Sequence, residues 1–148
     1  MNFNAPRDLL DHVGETLGRT EWHEIDQAQV NLFADATRDH QWIHTDPERA
    51  AAGPFGGAIA HGYLTLALAP MFLSETVTID HLTAGVNYGL NKVRFPAPVP
   101  VGQSVRATVV LADAKPRGEG VEATFGITVE VTGSSRPACV AEAVIIYQ

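Results

Sequence analysis

Several things are scarce in this sequence, and each scarcity excludes something. There is one cysteine, Cys139, so no disulfide can form within the chain, which suits a reducing compartment. Positive charge is short: 10 Lys and Arg stand against 17 Asp and Glu, for a net charge of −7. A duplex-binding protein needs the opposite sign to neutralise phosphates, so nucleic acid is not an expected partner. The longest apolar run, residues 64–73, is about half of what a membrane-spanning helix needs. The opening residues MNFNAPRDLLDHVG hold no basic stretch followed by an apolar core, so no signal peptide is expected. A cytoplasmic location and no membrane partner follow as expectations. No internal repeat or low-complexity tract is present.

What is present is globular composition: 45% hydrophobic and 18% charged residues over 148 positions. That length fits one domain, expected over residues 1–148, with enough chain to bury a core. Acid gathers in residues 1–50, with 10 acidic and 4 basic side chains, and five of the ten basic residues (Lys92, Arg94, Arg106, Lys115, Arg117) fall in one later stretch.

The first half reads as helical. Residues 19–25 mix aromatic, β-branched and polar side chains and predict a short strand. Asp26 is placed to cap a helix, with Gln29 three positions on as in a capping box. Val30, Phe33, Ala34 and Thr37 then recur at helical spacing, and the helix should end near Arg38. Residues 39–44, DHQWIH, read as a bridge. Asp46-Pro47 restarts a helix with a cap and a first-turn proline, and Gly53 ends it. Residues 60–74 are apolar on every side, which predicts a long helix buried all round and kinked at Pro70.

The second half is strand-rich. Val121, Ala123, Phe125, Ile127, Val129 and Val131 alternate with mostly polar neighbours, which predicts a half-buried antiparallel strand. Residues 105–111 and 139–147 give two more, and residues 86–95 a fourth, in which Tyr88 alternates with Val86 and Leu90 as a core position. Residues 115–120 and 132–137 supply turns. The fold class is therefore α+β, an antiparallel sheet wrapped around a long central helix.

Three groups of residues can carry chemistry. Asp39 and His44 offer a carboxylate and an imidazole able to share one water as an acid/base pair; local hydrogen bonding of a helix-end Asp and a loop His is the plain alternative. Gly62 opens the apolar helix, where its N–H is free of an intrahelical acceptor and sits at the positive end of the dipole, a possible oxyanion donor. Close packing of that glycine is the alternative. His40 and His44 stand four apart, but no HExxH and no nearby cysteine support a metal, and none is expected. His61 reads as a partly buried side chain beside Gly62. Trp42, Phe55 and Tyr63 read as wall or core.

On these residues the sequence resembles the MaoC-like hot-dog hydratases, which include (R)-specific enoyl-CoA hydratases. The family pattern has an aromatic, a small residue, Gly-Asp-x-Asn-Pro-aliphatic-His and a later small residue. Here it reads Phe33, Thr37, Arg38-Asp39-His40-Gln41-Trp42-Ile43-His44 and Ala50. Gly62 stands in HGYLTLA, where the family has a His-Gly pair, and residues 95–107 match its strand-loop-strand segment. Gln41-Trp42 replaces Asn-Pro and Arg38 replaces Gly. The run through residues 86–95 is most similar to small stand-alone members, some of them nodulation-protein-N-like.

The resemblance implies a hot-dog fold, a homodimer, and reversible hydration of a trans-2-enoyl-CoA, or an acyl-carrier-protein thioester, to the (R)-3-hydroxyacyl product without a cofactor. It implies catalytic roles for Asp39, His44 and Gly62. Asp39 would take a proton from water and His44 would give one to Cα. Substrate contacts are expected from Gln41, Trp42, Tyr63, Tyr88, Gly89, Lys92 and Arg94, and the clustering of positive charge nominates Lys92, Arg94 or Arg117 to meet the anionic carrier. An acyl-CoA thioesterase on the same fold, or a non-catalytic acyl-binding subunit, stays open beside it.

Overall fold

The computed structural model describes residues 1–148. Four long strands make most of the sheet, β5 (Gly85–Arg94), β6 (Ser104–Arg117), β7 (Gly120–Val131) and β8 (Cys139–Tyr147), and the last three carry the core. With the short β2 (Thr16–Arg19) they form an antiparallel sheet in the order β2-β6-β7-β8-β5, and β3 (His23–Glu24) also pairs with β6. A two-residue β1 (Asn2–Phe3) runs parallel to β4 (Thr78–Ile79), outside that sheet. A 3-10 turn (Pro6–Asp11) lies between β1 and β2 and buries Leu9.

Side-chain alternation explains the sheet. Along β7, Val121, Ala123, Phe125, Ile127, Val129 and Val131 are all buried, as are Val105, Ala107, Val109 and Leu111 on β6. One apolar face closes the core while the other meets solvent. Truncating a fully buried ring such as Phe125 costs about 3–5 kcal/mol. Two strand readings need correction. The segment 19–25 is split between β2 and β3, because Thr20 bonds through its side chain: the Ala107 N–H donates to Thr20 Oγ1 at 3.0 Å. The turn at 115–120 shrinks to Gly118 and Glu119, since pairing continues to Arg117↔Gly120 and Gly118 takes the left-handed φ of +59°.

The helices precede and line the sheet. α1 (Gln27–Thr37) is capped by Asp26, whose carboxylate accepts the Gln29 N–H at 2.8 Å. Such a cap is worth about 1 kcal/mol. Arg38 ends α1 in the left-handed region at φ 63°, the one non-glycine residue there. The backbone thus explains why the family pattern has glycine at this place. The bridge at 39–44 is shorter than its sequence predicts: α2 (Trp42–Thr45) is a helical turn, so His44 sits on a helix. α3 (Pro47–Ala51) starts at the Asp46 cap as expected and ends two residues before Gly53.

The long apolar helix runs through α4 (Gly62–Ala67) and α5 (Ala69–Thr76), joined at Leu68, which keeps right-handed helical angles (φ −78°, ψ −8°) and whose N–H donates to the Leu64 carbonyl at 3.2 Å. Pro70 lacks the N–H that would bond the Leu66 carbonyl, so the helical ladder is interrupted beside Leu68, where the sequence expects a kink. The helix is not buried all round. Leu64, Phe72 and Leu73 enter the core, while Tyr63, Ala67 and Pro70 face out. The sheet covers one side of the helix pair. Along one flank a groove of about 400 Å³ lies between the helices and strands β5 and β8 at the sheet's edge, lined by Leu66, Ala67, Leu73, Tyr88 and Leu90 among others. Strand β5 borders it as an edge, paired only with β8. Tyr88 is 58% exposed, with Val86 and Leu90 about half exposed. Their apolar alternation marks a face that needs covering, not one the single chain covers. No helix is long and apolar enough to cross a membrane.

Candidate active site

Asp39, His44 and His61 bring ligand-type atoms within 4.8 Å of one another. Three local features place them. The left-handed turn at Arg38 ends α1 and throws Asp39 into the bridge. The turn of α2 carries His44 inward. His61 precedes α4 as its cap residue. Asp39 is held by local bonds: the Gln41 N–H donates to its Oδ1 at 3.3 Å, and its own N–H donates to Thr37 Oγ1 at 3.4 Å. Its side chain is 51% exposed.

His44 is 7% exposed. Its Nδ1 lies 2.6 Å from the Ile59 carbonyl oxygen. A carbonyl only accepts, so Nδ1 carries the hydrogen and Nε2 presents a bare lone pair. Burial pushes the pKa below the usual 6.5, and neighbouring His61 adds to that; the Ile59 bond and the Asp39 charge oppose it. The resting imidazole is therefore neutral at neutral pH, with Nε2 ready to take a proton.

Spacing alone missed His61. It is 2% exposed and sits between two rings, with its centroid 3.9 Å from His44 at 25° and 4.9 Å from Phe33. Its Nε2 is 3.0 Å from the Asp39 carbonyl oxygen and 3.9 Å from the carboxylate Oδ2. Only its position beside Gly62 in the family's His-Gly pair could have signalled it.

Gly62 is the first residue of α4, so its N–H has no intrahelical acceptor. The packing alternative also has an observation behind it: a Cβ at Gly62 would come 3.1 Å from the Phe95 ring. Close approach and free N–H occur together here.

The other sequence-nominated residues scatter. Gln41 caps α2 through its backbone and is exposed. Trp42 lies under the Arg49 guanidinium at 4.4 Å and against Gly53. Tyr63 is exposed and meets Phe95 edge-on. Tyr88 and Gly89 line the groove. Lys92 and Arg94 lie exposed on β5, and no carboxylate pairs with them. Arg117 is committed elsewhere: it pairs with Glu122 and stacks over Tyr88, so it is poorly placed to meet a phosphate. His40 bonds Asp35 at 2.8 Å and does not join His44. In the cluster itself, one nitrogen of each histidine is already spent on a backbone carbonyl.

The chain is similar to known proteins over most of its length. The model of the MaoC like domain matches residues 8–132. A 3-hydroxyacyl-thioester dehydratase Z of Mycobacterium tuberculosis is 57% identical over 98% of this chain and 97% of its own length. Nodulation protein N of Rhizobium leguminosarum bv. viciae is 46% identical over 95% of this chain and 89% of its own. Among solved structures, the (R)-hydratase from A. caviae superposes with a TM-score of 0.73 at 28% identity, covering 90% of this chain and 95% of that one. The hot-dog fold expected from the sequence is thereby found.

Proposed function

The chain belongs to the MaoC-like domain family and is a hydro-lyase of that type, and on that premise we propose that it interconverts (R)-3-hydroxyacyl and trans-2-enoyl thioesters. The observation that carries the reading is the bare Nε2 of a neutral His44 beside the Asp39 carboxylate. In dehydration, Nε2 takes the Cα proton, and negative charge collects on the thioester oxygen, facing the Gly62 N–H. The imidazolium returns its proton to the departing hydroxyl on the same face, and Asp39 holds the water that forms. Hydration is the reverse. One group serves both proton transfers, so addition is syn. The difference from the resemblance lies in hydration, where the water proton goes to His44 and not to Asp39, because a neutral His44 accepts before it donates. Groove residues Tyr88 and Gly89 would take the acyl chain, and Lys92 and Arg94 the anionic carrier. The reaction needs no cofactor.

The test is the ultraviolet absorbance of the conjugated thioester with crotonyl-CoA and a longer homologue. Loss on hydration, with (R)-3-hydroxyacyl product, supports the reading; release of free CoA from an unchanged acyl group refutes it and favours a thioesterase.

The pH dependence follows from His44. Its reactive form is neutral and its pKa is lowered, so activity falls with acid only once the pH drops below 6.5. The acid limb of kcat/KM should have its midpoint under that value, and a midpoint at or above it contradicts the role. Stability shifts in the same direction: the unfolded chain binds this proton more readily, so the fold loses stability as pH falls through and below 6.5.

A second copy completes the molecule in this reading. None of the cavities of the single chain is lined by Asp39 or His44, and β5 offers an unpaired edge with an apolar flank. Joining β5 to β5 across a two-fold axis satisfies the edge and covers Val86 and Tyr88. Light scattering should give twice the chain mass of 15.9 kDa; an active monomer would rule the arrangement out.

A further inference from the structure

His61 takes no proton in the reaction above, yet no side chain in the cluster has more connections. Its Nε2–H donates to the Asp39 carbonyl at 3.0 Å, across 22 residues. The other Asp39 bonds are local, to Thr37 and Gln41. His61 is therefore what ties the bridge to the start of α4. Its ring also lies over His44, stacked at 3.9 Å. The His44 ring is thus restrained twice: by the in-plane bond to Ile59, and by the stacked face of His61. Two restraints at right angles fix where Nε2 points; either alone leaves the ring free to tilt or turn.

Packing does not explain a histidine here. The Nδ1 of His61 is buried and has no hydrogen-bond partner. Buried polar atoms without partners are uncommon, because they forgo the bonds water would give them. A phenyl ring would fill the slot beside Phe33 without an unpaired nitrogen of its own. What histidine adds is the Nε2–H, and that hydrogen is spent on Asp39. The 3.9 Å from Nε2 to the Asp39 carboxylate Oδ2 is too long for a hydrogen bond. His61 holds the acid's backbone and does not act on its oxygens.

We propose that His61 is a positioning residue, which sets the Asp39 backbone through its Nε2–H and the His44 ring plane through stacking. The inference rests on the dehydratase reading of the same site. The test compares His61→Phe, which keeps a stacking ring and loses the donor, with His61→Gln, which keeps a donor and loses the ring. Both are measured for kcat, KM and thermal midpoint with an enoyl thioester. His61→Phe should hold the thermal midpoint within a few degrees of wild type and leave KM within about threefold. Its kcat should fall about tenfold or more, the scale of a small misplacement of reacting groups. His61→Gln should recover part of that loss. Wild-type kcat in His61→Phe overturns the inference. So does a Gln variant no better than Phe, or a fall in kcat that tracks the thermal midpoint in both. A wild-type protein inert on every enoyl thioester overturns the dehydratase reading itself, so the two failures are distinguishable.

Discussion

Asp39→Asn and His44→Ala should each lower turnover of an enoyl thioester by about 10²-fold or more, the usual scale for a positioned acid or base. The two should part company in stability. Asp39 is half exposed and its bonds are local, so Asn should leave the thermal midpoint close to wild type. His44 is buried, stacked on His61 and bonded to Ile59. Alanine removes a buried ring and strands the Ile59 carbonyl, at a cost of about 1–3 kcal/mol for the lost partner. Its midpoint should fall by several degrees while the protein still folds. Turnover measured well below both midpoints separates chemistry from folding. Near-wild-type hydration by either variant would remove that residue from the mechanism.

Gly62→Pro should lower kcat by about 10²–10³-fold, the scale reported for removing one oxyanion donor. The geometry makes this an unusually clean substitution. Gly62 is the first residue of α4, where proline is well tolerated, and His61 before it holds φ −59° and ψ 137°, the extended conformation that a following proline prefers. The new Cβ meets Phe95, which is exposed enough to swing aside. Gly62→Ala adds the same Cβ but keeps the N–H. Alanine is therefore the control: it should cost kcat only a few-fold, with a small drop in thermal midpoint. Equal losses of kcat in the two variants would assign Gly62 to packing against Phe95 and not to the thioester oxygen.

How much was legible in the sequence depends on what each pattern encodes. The β6, β7 and β8 cores were readable because strict alternation maps onto a face, as with Phe125 and Ile127. The same rule misplaced Tyr88. Alternation shows that a face is apolar, not whether this chain or another covers it. The apolar stretch at 60–74 failed for a related reason: composition cannot distinguish a helix wrapped on all sides from one left open toward a groove. The spacing of Asp39 and His44 alone favoured plain local hydrogen bonding, and it was the family pattern that nominated them as a pair. His61 was not readable as their partner. Its link to Asp39 spans 22 residues and its link to His44 is a stack of rings, and neither leaves a periodic trace in the sequence. Arg38 shows the converse: a departure from the family's glycine was visible, but only the backbone shows that the position is left-handed.

The strand order also sets when the molecule can take shape during synthesis. β5 lies at one side of the sheet and pairs only with β8, which is made well after it; β7 needs β8 on its other side. Tyr147 is in register with both Gly85 and Val121. Until β8 leaves the ribosome, β5 has no strand to pair with and α4 lacks the strand it packs on, so the groove, which β8 helps to line, does not exist. At about 5–20 residues per second, the stretch from Arg94 to Cys139 takes seconds to elongate, and for that time Val86, Tyr88 and Leu90 are open to whatever else is nearby. Release of a chain before β8 is made would free a strand edge rather than a trimmed enzyme, which makes the nine residues of β8 the stretch on which the groove depends.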